Sequence, residues 1–106
     1  MIKITDKVYT IDELKAIVKP ILEKCPRVKA FYVYSDYAYG TATPDSPLLC
    51  IIDGENITTD DIIASKMADE LDENLQKEIA IYRESDLLYS RMMAVRKERV
   101  LIYERN

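Results

Sequence analysis

Two short apolar runs, residues 28–34 and 47–53, flank a turn-rich stretch of 12 residues and constrain the fold more than anything else in the chain. Both runs are rich in β-branched, aromatic or aliphatic residues, which suits strands on a half-buried sheet. The stretch between them, residues 35–46, carries serine, threonine, proline, aspartate and one glycine, the residues that end strands and shape turns. Neighbouring segments have helical spacing instead. Thr10 with Glu13 matches a capping box, and Ile11, Leu14, Ile17, Val18, Ile21 and Leu22 then recur on one side, predicting a helix over 11–24 with a kink before Pro20. Thr58, Thr59 and Asp60 offer caps for a second helix. Its Ile63, Met67, Leu71 and Leu75 share one face, while Asp69, Glu70, Asp72 and Glu73 share another. Residues 78–82 read as a third strand, Ser85 as the cap of a helix with Leu88, Met92 and Val95, and residues 100–103 as a closing strand. The order predicts a layered α/β or α+β domain whose helices cover the sheet.

At 106 residues the chain fits one domain, expected to span 1–106. Its apolar runs fall well short of a membrane span, and its start lacks a leader pattern, so a cytoplasmic protein with no membrane partner is expected. Cys25 and Cys50 stand apart from any CxxC pattern and read as reduced packing residues. Histidine is absent, which removes imidazole acid–base chemistry and imidazole metal ligands. A net charge of −4 makes nucleic acid an unlikely partner. That charge is uneven: residues 1–82 hold nine Lys/Arg against fifteen Asp/Glu, and residues 83–106 hold six against four. Arg91, Arg96, Lys97 and Arg99 in the basic tail read first as a solvated helix face and second as a contact for phosphate or a partner.

The central stretch is more specific. Ser35-Asp36-Tyr37-Ala38-Tyr39-Gly40-Thr41-Ala42-Thr43-Pro44-Asp45-Ser46-Pro47-Leu48-Leu49 resembles the signature of minimal nucleotidyltransferases. In that family a strand ends in Gly-Ser, a Tyr-Ala-Arg-Gly-x-Ala-x-Pro-x-Ser loop follows, and Asp-x-Asp opens the next strand. Tyr37, Ala38, Gly40, Ala42, Pro44 and Ser46 fall in register without a gap. The resemblance implies the nucleotidyltransferase fold, an α/β (α+β) domain with a mixed sheet of about four strands covered by helices. For an active member it would also imply magnesium on paired carboxylates, ATP or another nucleoside triphosphate, and a third acid on a neighbouring strand.

This sequence departs from the pattern where the chemistry resides. Pro47 and Leu49 replace the two aspartates and offer no side-chain oxygen to a cation that wants octahedral oxygen ligands. The third acid aligns best with Ile79, leaving Glu78 facing the other way. Ser35-Asp36 replaces Gly-Ser, which exchanges a small residue and a hydroxyl for a hydroxyl and an anion, and Tyr39 stands where arginine is common. No residue is therefore assigned a catalytic or metal-binding role, and no cofactor is expected. Gly40 and Ser46 remain as a residual phosphate loop. Asp36 and Asp45 read as turn-forming residues. Asp53 lies about 13 Å beyond Leu49 at ~3.3 Å per residue, too far to share one metal. Tyr32, Tyr34, Tyr37 and Tyr39 either bury their rings in the core, or fill the altered pocket or face a partner.

Three readings follow from the resemblance. The leading one is a non-catalytic, antitoxin-like binding or regulatory protein that pairs with itself or with a helical partner, often of the HEPN type. The second is an active or residually active magnesium-dependent nucleotidyltransferase, moving a nucleotide from ATP or a related triphosphate to a hydroxyl acceptor. The third keeps nucleotide binding as a signal without transfer.

Overall fold

The computed structural model describes residues 6–54, 57–58, 60 and 66–105. Helix α1 spans Ile11–Leu22 and starts on the expected capping box: the Thr10 hydroxyl accepts from the Glu13 N–H, and the Glu13 carboxylate accepts from the Thr10 N–H. It runs through Pro20 and stops at Leu22, two residues short of the expected end. Arg105 helps to close that end, donating from its guanidinium to the carbonyls of Leu22 at 3.0 Å and Val28 at 3.1 Å.

Strand β1 (Ala30–Tyr34) leads into a four-residue helix, α2 (Asp36–Tyr39), and β2 (Leu48–Asp53) follows. Helix α3 (Met67–Leu75) crosses to β3 (Ile79–Arg83). A 3-10 turn (Glu84–Asp86), helix α4 (Tyr89–Glu98) and β4 (Val100–Glu104) complete the described chain. The strands form one mixed sheet in the order β3-β2-β1-β4, with β2 and β4 antiparallel to β1 and β3 parallel to β2. This is the mixed α/β architecture expected from the sequence.

Local outcomes differ at two points. The turn between the first two strands contains a short helix. Ser85 lies in the 3-10 turn, so α4 begins at Tyr89 behind Leu88 with no side-chain cap. The expected start of the acidic helix at Thr58–Asp60, with Ile63, lies largely outside the described residues.

Alternation divides the sheet into two faces. On one, Phe31, Val33, Leu48, Cys50, Ile52 and Ile102 meet Leu14, Val18, Ile21 and Leu22 of α1 and Met67, Leu71 and Leu75 of α3. On the other, Tyr34 and Ile51 meet Val95 of α4, with Tyr32, Leu49 and Leu87 packed around them. Both cysteines are free and buried, and burial pushes the Cys50 thiol up to about 12, so it stays protonated and inert.

Candidate functional site

The motif residues gather where β1 ends and β2 begins. Ser35 leaves β1 with φ 64° and ψ −139°, a backbone region that suits glycine. The conformation the resemblance ascribes to glycine thus persists under a serine side chain, which makes no capping hydrogen bond. Helix α2 then turns back on itself: the N–H groups of Ala38 and Tyr39 donate to the Ser35 carbonyl, and that of Thr41 donates to the Asp36 carbonyl. Gly40 ends α2 in the left-handed region, at φ 76°. A side-chain carbon there would meet no atom within 4 Å, so its conformation, rather than a close approach, accounts for glycine.

Ser46 is buried, and its hydroxyl serves the loop itself. It donates to the Asp36 carboxylate at 3.0 Å and accepts from the Thr43 N–H at 2.9 Å. Asp36 therefore clasps the far end of the loop rather than capping the 37–40 turn. Beneath the loop lies Lys77, 1% exposed, whose ammonium donates to the Pro44 carbonyl at 3.0 Å. A single lysine between Leu75 and Glu78 carries no sequence signal for this role, because burial of its stem and charge is decided by tertiary packing.

Leu48 turns into the main core, which sets Pro47 and Leu49 together on the opposite face. Leu49 pairs with Tyr34 across the sheet and packs into the Tyr34, Ile51 and Val95 cluster. The parallel register pairs Leu48 with Ile79 and Leu49 with Ala80. Ile79 consequently points to the main core, where it packs, and alternation brings Glu78 to the face of Pro47 and Leu49. This reverses the expected assignment on β3, where one residue of register exchanges the two faces.

In the basic tail Arg91, Arg96 and Lys97 are exposed, as a solvated face would be, while Arg99 is partly buried. Arg96 and Arg99 both donate to Glu84, the latter at 2.8 Å, and the Arg99 guanidinium lies 3.8 Å from the centre of the Tyr32 ring. Burial pushes the Glu84 carboxyl up, yet hydrogen bonds from Arg99 and Arg96 outweigh it and hold the group below its ordinary value. Burial raises the Tyr34 hydroxyl, against a hydrogen bond with Arg91. Tyr39, half exposed, donates to Glu98, whose carboxylate raises the phenol. Tyr37 is buried in the main core. The four tyrosines therefore divide: Tyr32 and Tyr34 line the altered face, Tyr37 fills the core, and Tyr39 ties α2 to α4.

The donor set does not fit magnesium. Positions 47 and 49 provide no side-chain oxygen, and the Asp36 carboxylate is held by Ser46. Asp53 is exposed at the far end of β2. Among the described residues, no group of three or more His, Cys, Asp or Glu side chains is placed to hold a metal ion. Nor is any described helix long and apolar enough to cross a membrane.

No known sequence family matches the chain, and no curated protein does. Solved structures do. A chain of a toxin–antitoxin complex with AMP-PNP superposes with a TM-score of 0.71 at 15% identity, over 87% of this chain and 74% of that one. A Shewanella oneidensis complex of a tri-AMPylated HEPN toxin with an MNT antitoxin gives a TM-score of 0.66 at 8% identity, over 91% and 74%. A Sulfolobus solfataricus protein described as a nucleotidyltransferase gives 0.50 at 15%, over 93% and 91%. At these identities the likeness establishes the fold: the chain has the minimal nucleotidyltransferase fold of the MNT antitoxins.

Proposed function

We propose that this nucleotidyltransferase-fold chain has lost nucleotidyl transfer and acts by binding, as an antitoxin-like regulatory protein of the cytoplasm, without a metal or nucleotide cofactor. The observation that carries this reading is the apolar pair Pro47 and Leu49, where the resemblance calls for metal-binding aspartates, with Leu49 packed among Tyr34, Ile51 and Val95. Two carboxylates held close repel one another until a cation joins them, whereas apolar side chains there favour burial. The loop supports the same reading, since Asp36 brings negative charge to a phosphate-binding position and Ser46 is occupied by the loop. Gly40 and Ser46 then serve loop shape, and any phosphate role left to them would need Ser46 to release Asp36. The likeness to a HEPN toxin–MNT antitoxin complex makes a helical HEPN-type protein the partner to try first, with self-association as the other form of assembly.

A second reading draws support from one observation. Glu78 shares the face of Pro47 and Leu49, so one acid remains in place for a magnesium-dependent transfer from ATP or a related triphosphate to a hydroxyl acceptor. Incubation with α-labelled ATP and magnesium, with the chain alone and with a HEPN-type partner, separates the two. The binding reading expects no label on either protein. Label that depends on Glu78 establishes the enzyme instead.

A further inference from the structure

Strand β3 closes one side of the sheet, and half of its backbone groups have no strand to meet. In the order β3-β2-β1-β4 it pairs with β2 alone. The Leu48 N–H donates to the Glu78 carbonyl at 2.8 Å, so in this parallel ladder residues 78, 80 and 82 turn their N–H and C=O groups to β2. Those of Ile79, Ile81 and Arg83 point the other way, and among the described residues they bond to no further strand. Nothing blunts this edge. Residues 79–82 carry no charge, proline or glycine, and their register with β2 runs without a bulge, whereas β4 at the opposite edge shifts register against β1.

A groove of about 230 Å³ opens beside the edge, lined by Ile79 and Ile81 of the strand and by Ala68, Asp69 and Asp72 of α3. The two isoleucines touch the main core yet stay half-buried, which leaves apolar surface for a neighbouring strand. The Asp69 and Asp72 carboxylates hold no hydrogen bond or ion pair among the described residues, whereas Glu70 is taken by Lys24. Residues 66–78 contain five Asp/Glu against two Lys. Lys77 is buried with its ammonium on the Pro44 carbonyl, and Lys66, exposed ahead of α3, pairs with neither aspartate. Arg83 is bonded to Asp86.

Backbone and charge together narrow the occupant. Open N–H and C=O groups at strand spacing are satisfied by an extended chain and not by a helix, whose own backbone is already bonded. A second copy fits badly. Joining two β3 edges would set two acidic α3 helices side by side on one face, and the β4 edge brings Arg99 and Arg105 already bonded within their own chain. The acidic groove also repels nucleic acid.

We infer that β3 is a docking edge for an extended segment of a different protein, which adds a fifth strand with apolar side chains beside Ile79 and Ile81 and a lysine or arginine at Asp69 and Asp72. The inference rests on the partner-binding reading above and places the contact in an extended segment of that partner.

The probe is a capped peptide of about nine residues, alternating valine and threonine with two arginines. One twin carries glutamates for the arginines, and another is N-methylated at alternate residues, which removes the donors a paired strand needs. Fluorescence anisotropy with the full chain at low salt should show the arginine peptide binding at least about tenfold more tightly than either twin. In amide hydrogen exchange it should slow the open Ile79 and Ile81 N–H groups and leave those of Ala80 and Tyr82, already turned to β2, unchanged. Asp69→Asn with Asp72→Asn should weaken binding by about tenfold and remove the preference for arginine over glutamate, with a melting temperature near wild type because neither carboxylate holds a partner. No binding, equal binding of either twin, wild-type affinity in the asparagine variant, or slowed exchange on α4 instead of β3 overturns the inference. So do Ile79 and Ile81 amides already protected in the free monomer, or light scattering that shows a dimer dissociated by the peptide. The outcomes stay separable from catalysis: a chain that transfers label from ATP and still prefers the arginine peptide loses the silent-site reading alone. A silent chain that ignores the peptide loses this edge alone.

Discussion

Ser35 holds a backbone conformation that glycine adopts without strain and serine does not. Such an outlier costs about 1–3 kcal/mol, while a glycine in its place costs about 0.5–1 kcal/mol through the greater freedom of the unfolded chain. Since the Ser35 side chain makes no capping bond, Ser35→Gly should raise stability by about 1 kcal/mol, read as a rise of several degrees in a thermal melt. Glu84 gives a pH dependence of known sign. Its folded value is depressed below the ordinary 4.5, so its contribution is complete above pH 4.5 and is lost as the pH falls through the folded value. Melting temperature should therefore drop as the pH is taken below about 4.5, and Glu84→Gln should lower the melt at pH 7 while flattening that acid-side fall. A variant whose acid-side slope matches wild type would show that the Arg96 and Arg99 contacts do not hold the carboxylate in solution.

Among the elements, β2 carries the decisive change. Pro47 and Leu49 lie on one face, and full burial of a leucine is worth about 1.5–3 kcal/mol, of which half-buried Leu49 gains a part. Pro47→Asp with Leu49→Asp should lower the melting temperature in metal-free buffer and leave nucleotide transfer absent, because Asp36 and Tyr39 still oppose triphosphate. A double variant as stable as wild type would remove the burial argument. Strand β2 was legible in the sequence because apolar runs bounded by turn residues have few other uses, and α1 because its capping box is local. The register of β3 was not: Glu78 and Ile79 differ by one step, and only pairing with Leu48 fixes which of them faces the site. Helix α4 was legible as a helix but not in its start, since Ser85 falls in the 3-10 turn and the residue at the cap is leucine, which gives no capping signal. Arg96 and Arg99 read as a solvated face and Lys77 gave no signal, because their partners Glu84 and Pro44 are brought to them by the fold.

On the scale of the whole molecule, one mixed sheet separates two apolar layers that differ in kind. The layer under α1 and α3 is the larger, mainly aliphatic with Phe31, Tyr37 and Tyr103 among its buried residues. The layer under α4 mixes Tyr32, Tyr34, Leu49 and Ile51 with arginines, on the face that the resemblance assigns to a nucleotide. Chemistry there would need oxygen ligands that positions 47 and 49 do not supply, and triphosphate would approach a chain of net charge −4 beside the Asp36 carboxylate. The central claim is that this face no longer accepts a magnesium–triphosphate complex. Isothermal titration of ATP with magnesium into the full chain tests it most directly: the account predicts no saturable heat up to millimolar ATP, and magnesium-dependent binding in the micromolar range would contradict it.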